Sequence, residues 1–213
     1  MKIDFVSDVS CPWCAIGLAA LDQAIDRLGP QADVQLHFQP FELNPQMAAE
    51  GEEIVDHLAR KYRMAPAQVD ANRDAIRERG AALGFEFRMD RRDRIYNTFD
   101  AHRLLHWAGL EGAAAQHALK QALLKAYFTE GQNPGAPEVL LQAATAAGLD
   151  PLRAAEVLAS GTYADAVREA EQFWQQQGIQ SVPSIIVNDR YLIQGGQPVE
   201  AFEQALRQIA AEG

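Results

Sequence analysis

Cysteine is scarce in this chain: there are two in 213 residues, and both fall in one tetrapeptide, Cys11-Pro12-Trp13-Cys14. The absence of a second pair excludes a four-thiolate zinc site. Positive charge is also short, with 19 lysines and arginines against 29 carboxylates and a formal net charge of −10. Nucleic acid and anionic membrane surfaces would be repelled by that balance, so neither is expected as a partner. No apolar run approaches the length of a membrane span, and no internal repeat or low-complexity tract stands out. What remains is a chain that is 48% hydrophobic, enough to bury one sizeable core with a subdomain beside it.

The two cysteines sit in an informative context. A short apolar run, Ile3, Phe5 and Val6, precedes them, and Leu18, Leu21, Ile25 and Leu28 follow at helical spacing up to a stop at Gly29-Pro30. The tetrapeptide therefore marks a strand-to-helix junction. Pro12 suits the first helical turn, where its missing N–H costs nothing, and this leaves Cys11 at the positive end of the helix dipole. That position favours a thiolate, and a thiolate is both the nucleophile and the better leaving group in thiol–disulfide exchange. Cys14, one turn on and more enclosed, is the natural resolving thiol. Sites of this kind span potentials of roughly −270 to −120 mV, so the motif fixes the chemistry but not its direction.

Two other uses of a Cys-x-x-Cys pair were weighed. A zinc site needs further ligands, and His37, His57, His102, His106 and His117 show no finger-like spacing. His102 and His106 could share a helix face, but Arg103 stands where a metalloprotease carries its glutamate. No metal is expected. A purely structural disulfide would close so short a loop that it would restrain the unfolded chain little.

A second signal lies between Gly178 and Ile193, where two β-rich runs flank a turn at Asn188-Asp189 and read as a hairpin. Pro183 stands at the start of the first run. A Val182-Pro183 step there, in a chain with an N-terminal Cys-x-x-Cys, suggests a cis peptide that brings the loop toward the thiols and leaves the Val182 backbone free to pair with a substrate strand.

The run Ser7-Asp8-Val9-Ser10-Cys11-Pro12-Trp13-Cys14, followed by Val182-Pro183 and by Gly195-Gly196-Gln197-Pro198, resembles the DsbA-like branch of the thioredoxin superfamily, most closely the FrnE-like disulfide oxidoreductases. Pro40-Phe41-Glu42-Leu43-Asn44-Pro45 and Asn97 to Leu104 are similar to the same group. The resemblance implies an α/β thioredoxin fold interrupted by a large all-helical insertion, with Cys11 as nucleophile, Cys14 as resolving thiol and Pro183 as the cis-proline. It also points to Asn44, Gly195, Gly196 and Gln197 as substrate-contact candidates. Kappa-class glutathione transferases and 2-hydroxychromene-2-carboxylate isomerases share the layout. They carry serine in place of the nucleophile, and they place an acidic residue and an arginine in the loop that reads Gly196-Gln197-Pro198 here.

The expected layout is a thioredoxin-fold domain from 1–45 and 166–213, with a helical insertion subdomain from 46–165. Val34 to Phe38 reads as a second strand; helices follow to about Trp174, one capped at Asp150 ahead of Pro151, and a last helix carries Val199, Phe202, Leu206 and Ile209. Trp107, Tyr127, Phe128, Tyr96 and Phe99 are candidates to line a substrate groove, against the commoner fate of core packing. Arg88, Arg91, Arg92 and Arg94 could hold an anionic ligand, against the commoner reading of a solvated face paired with Asp90 and Asp93. Asp8 either tunes a thiol or caps the strand end, and Ser10 is a candidate cap for the motif helix.

The functional expectation is a thiol–disulfide reductase or isomerase acting on protein or small-molecule disulfides. No tightly bound cofactor is expected, glutathione is a candidate redox partner, and the assembly is a monomer or homodimer. Met1-Lys2-Ile3-Asp4 runs straight into the first strand, so a cytoplasmic setting is expected, where a dithiol resting state fits reduction better than net disulfide formation. The alternatives are a glutathione-dependent isomerase or transferase, and a non-catalytic holdase or biosynthetic accessory protein.

Overall fold

A computed structural model describes residues 1–29 and 32–212. Strand β1 (Lys2–Ser7) is buried along all but its first residue, which places it in the middle of a sheet. Helix α1 (Pro12–Leu28) follows after a four-residue turn, with proline in its first turn and Cys11 as the N-cap residue. It stops at Gly29, whose φ of 81° favours glycine; Pro30, the other half of the expected stop, lies outside the described residues. Strand β2 (Gln35–Pro40) then returns parallel to β1 with Phe5 beside Phe38.

The chain comes back to this sheet only at β5 (Ser184–Val187) and β6 (Tyr191–Gln194), in the order β2-β1-β5-β6. Strand β5 runs antiparallel to β1, and β6 antiparallel to β5. Asn188 and Asp189 both take positive φ, 51° and 54°, which matches the twist of a tight hairpin and explains why these residue types occupy the turn. Helix α9 (Val199–Glu212) then packs its Phe202, Leu206 and Ile209 face into the core formed with α1.

Between β2 and β5 the chain builds α2 (Ile54–Tyr62), α3 (Pro66–Ala82), α4 (Phe99–Glu111), α5 (Ala113–Phe128), α6 (Pro137–Ala146), α7 (Pro151–Ser160) and α8 (Ala164–Gln176). Asp150 caps α7 by accepting from the Leu152 amide at 2.8 Å, as its position before Pro151 foretells. Helices dominate this stretch as expected, with one addition: β3 (Glu52–Glu53) and β4 (Arg94–Ile95) pair as a two-residue antiparallel ribbon.

The helical stretch is welded to the sheet. Ile76, Phe87, Leu124, Tyr127 and Phe128 share one core with Ile3, Phe5, Leu21 and Phe202. A second core joins α4 to α7 through Leu104, Trp107, Leu119 and Leu140, and includes Val9 beside the thiol turn. The outer edge of β2 is closed by a side chain: Gln116 on α5 accepts from the Phe38 amide at 2.9 Å and donates to the Phe38 carbonyl at 3.1 Å. A buried strand edge thus keeps its polar groups paired without a further strand.

Tight backbone approach fixes the turn that carries the cysteines. A Cβ added at Gly17 would stand 3.1 Å from Pro183 Cγ and 3.3 Å from Gly196 Cα, and one at Gly196 would stand 3.0 Å from the Trp13 carbonyl oxygen. Gly17→Val should therefore push both flanking loops off α1 and lower stability by about 1–3 kcal/mol, read as a urea midpoint shift. Unchanged stability would show that these loops yield freely.

Candidate active site

Cys11 and Cys14 are both free thiols at the N-terminus of α1. Cys11 is 4% exposed and Cys14 is fully enclosed. The Cys14 amide donates to the Cys11 carbonyl at 3.0 Å, and no side chain caps this helix end. Ser10, expected as a cap, does not serve as one.

The two thiols differ sharply in acidity. The Cys14 thiol donating to the Cys11 sulfur pulls Cys11 below its ordinary value; burial opposes this, the Cys14 and Trp13 amides reinforce it, and the Asp8 charge works against it. Burial pushes Cys14 well above its ordinary value, and its hydrogen bond to Cys11 and the Cys11 charge push it further. Cys11 is thus the more acidic thiol of the pair. It faces the Val182–Pro183 peptide, which is cis, and its Sγ lies 3.7 Å from the Val182 carbonyl oxygen. That carbonyl, expected to stand free for a substrate strand, is occupied by the thiol in this dithiol form.

Asp8 is 1% exposed and ties the thiol turn to distant segments. Its carboxylate accepts from the Ser10 amide at 3.1 Å and from the Leu43 amide at 2.7 Å, and His102 Nε2 stands 3.6 Å away. Burial drives this carboxyl up, but the facing imidazole and the two amides outweigh it and hold the group at about 2. Asp8 braces the turn through these amides, and its charge opposes the lowering of Cys11.

The sulfur opens onto a cleft of about 470 Å³, within the usual range for small-molecule sites. Ser10, Cys11, Pro12 and Trp13 form one wall with Gln180, Ser181 and Val182, and α2 and α3 form the other through Leu58, Tyr62, Val69 and Ile76. Asn44 lines it too, with its Oδ1 accepting from Lys61 Nζ at 2.8 Å.

Gly195, Gly196 and Gln197 do not line it. They brace the back of the motif instead: the Gly195 amide donates to the Pro183 carbonyl at 2.8 Å, and Gln197 Nε2 donates to the Gln194 carbonyl at 2.7 Å. The aromatic candidates are also absent from the lining. Trp107, Tyr127 and Phe128 are core residues, Tyr96 packs edge-on to Tyr127, and Phe99 lies under the Arg168 guanidinium. The basic run divides: Arg88 pairs with Asp90 as expected, Arg94 donates to the Glu50 and Gly51 carbonyls, and Arg92 is buried and lines the cleft.

Sequence reasoning missed the roles of two residues. His102, weighed there only for a metal site, faces Asp8, and no group of three or more acidic, histidine or cysteine residues placed to hold a metal occurs among the described residues. Lys120, fully buried on α5, keeps an Nζ without a hydrogen-bond partner. Burial lowers its ammonium while the charges of Cys14, Asp8 and Cys11 pull it back, and it in turn draws Cys14 down. A lone lysine inside an amphipathic helix pattern carries no signal for this.

The Asp8 geometry sets an acid-side prediction. A carboxyl depressed from 3.8 to about 2 stabilises the fold fully above its unfolded value and loses that contribution as pH falls toward the folded one. The separation corresponds to about 2 kcal/mol. Asp8→Asn should therefore be the less stable protein at neutral pH and lose less than the parent between about pH 4 and pH 2. It should also move the Cys11 alkylation midpoint to lower pH. An alkylation midpoint that rises, or parallel acid transitions, would refute the assignment.

Comparison with known proteins identifies the family of this fold. Residues 2–207 match the DSBA-like thioredoxin domain family. The probable DsbA oxidoreductase SCO1869 from Streptomyces coelicolor superposes with a TM-score of 0.91 at 34% identity, covering 100% of this chain and 91% of its own. YwbO of Bacillus subtilis (strain 168) is 27% identical over 207 residues, 97% of this chain and 96% of that protein. The cytosolic disulfide reductase DsbM from Pseudomonas aeruginosa, in its structure with GSH, shares the fold with a TM-score of 0.69 at 15% identity over 99% of this chain and 100% of that one. The chain belongs to the DSBA-like thioredoxin domain family, that of the DsbA-like thiol–disulfide oxidoreductases.

Proposed function

We propose that the protein is a thiol–disulfide reductase or isomerase working through Cys11 and Cys14, with glutathione as the candidate redox partner and the cytoplasm as its setting. The observation that carries the reading is the placement of the pair: Cys11 at the N-terminus of α1 and opening on the cleft, Cys14 one turn on and fully enclosed. Cys11 attacks a substrate disulfide and expels one half as a thiolate. Cys14 then loses its proton, attacks Cys11 Sγ and releases the other half, leaving a Cys11–Cys14 disulfide and passing two electrons to the substrate. Pro12 starts the helix that favours the thiolate, and Trp13, Val182 and Pro183 shape the approach to the sulfur. On this reading residues 1–45 and 166–213 make the redox domain, and the insertion from 46–165 supplies the far wall of the cleft.

A serine at position 11 in place of this nucleophile would suit the glutathione-dependent isomerases; the cysteine pair favours exchange. The large apolar side chains standing half or more in solvent, Tyr62, Leu110, Leu152, Phe173 and Leu192, are distributed one to an element, an arrangement that gives a holdase reading little support.

The experiment is equilibration of the purified protein across glutathione redox buffers, followed by alkylation and mass measurement. A single two-electron transition is expected. Cys11→Ser should abolish exchange, and Cys14→Ser should accumulate mixed disulfides. A stable glutathione adduct with no transition, or exchange that survives loss of Cys11, would overturn the reading.

A further inference from the structure

The cleft over Cys11 is electrostatically out of character with the chain. The sequence carries 29 carboxylates, yet among the described residues lining the cleft none is acidic, while Arg73 and Arg92 both are lining residues. Arg92 is the informative one. It is 8% exposed, its Nε is buried without a hydrogen-bond partner, and its guanidinium lies 4.8 Å from the Tyr127 ring centroid and 5.1 Å from that of Phe128. The two aromatic rings beside it stabilise a cation but leave the Nε–H donor unspent. A guanidinium held in this way, with donors unspent in an enclosed apolar space, matches a carboxylate or similar planar anion. Its neighbours in the cleft, among them Ile54, Met89 and Ile95, are apolar.

We propose that the substrate of this site is a small disulfide with an apolar body and an anionic group, the anion docking on Arg92 while one sulfur meets Cys11. The proposal rests on the thiol–disulfide reading above and adds the substrate class. Size agrees with it: Cys11 and Arg92 line one cleft of about 470 Å³, the scale of a small-molecule site. Arg92 is here a specificity residue. The Cys11 thiolate attacks the bound disulfide, the anion-bearing half leaves or stays as the mixed disulfide, and Cys14 completes the reduction. A single turnover consumes the protein's own dithiol and needs no other reductant.

The test is stopped-flow single-turnover exchange of the reduced protein at fixed ionic strength. The probes are dithiobis(nitrobenzoate) and its neutral bis(methylamide), each rate being divided by that of a free small-molecule thiol under the same conditions. The parent protein should prefer the carboxylate by about tenfold on this normalised scale, as one charge-assisted pair in a secluded site predicts. Arg92→Gln should erase that preference, slowing the carboxylate probe about tenfold more than the neutral one, and Arg92→Lys should keep part of it. Arg91→Gln removes the same charge from an exposed neighbour and should change neither rate ratio. No preference in the parent protein, an equal fall for both probes in Arg92→Gln, or the same loss of preference in Arg91→Gln would each overturn the proposal. Should Arg92→Gln fail to fold, the parent ratio and Arg92→Lys still decide. Loss of all exchange in Cys11→Ser speaks to the redox reading alone, so the two can fail separately.

Discussion

A single buried carboxylate holds the active end of this protein together. Asp8 sits where β1 ends and the thiol turn begins, and it accepts amides from Ser10 within the turn and from Leu43 beyond β2 while facing His102 on α4. Those three contacts join the redox motif, the exit of the second strand and the helical stretch at one point. An ionised carboxylate without partners at this depth would be strongly unfavourable, so the surrounding structure has to present donors in this geometry or lose the fold's centre. The arrangement carries an electrostatic penalty at the nucleophile, because the same charge raises Cys11. That Cys11 nonetheless lies below its ordinary value means that the helix-end amides and the Cys14 hydrogen bond outweigh both Asp8 and burial.

The helices between β2 and β5 are more than a cover. Two of them, α3 and α5, contribute Ile76, Leu124, Tyr127 and Phe128 to the same core that packs the sheet, so the cleft wall is rigidly tied to the motif it faces. The pairing of β3 with β4 sets Glu52 opposite Ile95 and Glu53 opposite Arg94, and Ile54, Arg92 and Ile95 beside this ribbon all line the cleft. Cys11 at 4% exposure is then reachable chiefly from this cleft, which makes the shape and charge of its walls part of the chemistry's selectivity.

What could be read from the sequence was what local rules govern. The β1–α1 junction follows from a proline at the first helical position and apolar spacing on either side; the Asp150 cap and the Asn188-Asp189 turn follow from residue types with one dominant use at those places. Sequence-distant encounters were not legible. Tyr127 and Phe128 looked able to line a groove because helical periodicity gives a buried face without saying what lies opposite it. The arginine run looked solvated because Asp90 and Asp93 are its sequence neighbours, whereas the two rings that receive Arg92 are more than thirty residues away. The β3–β4 ribbon is two residues long on each side, below the length at which alternation can be detected.

The charges around the dithiol also bear on which way electrons move. Stabilising the Cys11 thiolate stabilises the reduced form, and a reduced form more stable than usual makes a stronger oxidant. Helix-end amides and the Cys14 hydrogen bond act in that direction. Asp8 acts the other way at Cys11, and Lys120 lowers Cys14, so that the second thiol is less reluctant to ionise when it must attack the mixed disulfide. A buried carboxylate and a buried lysine therefore both act against the gap in acidity that the helix terminus and burial open between the two thiols.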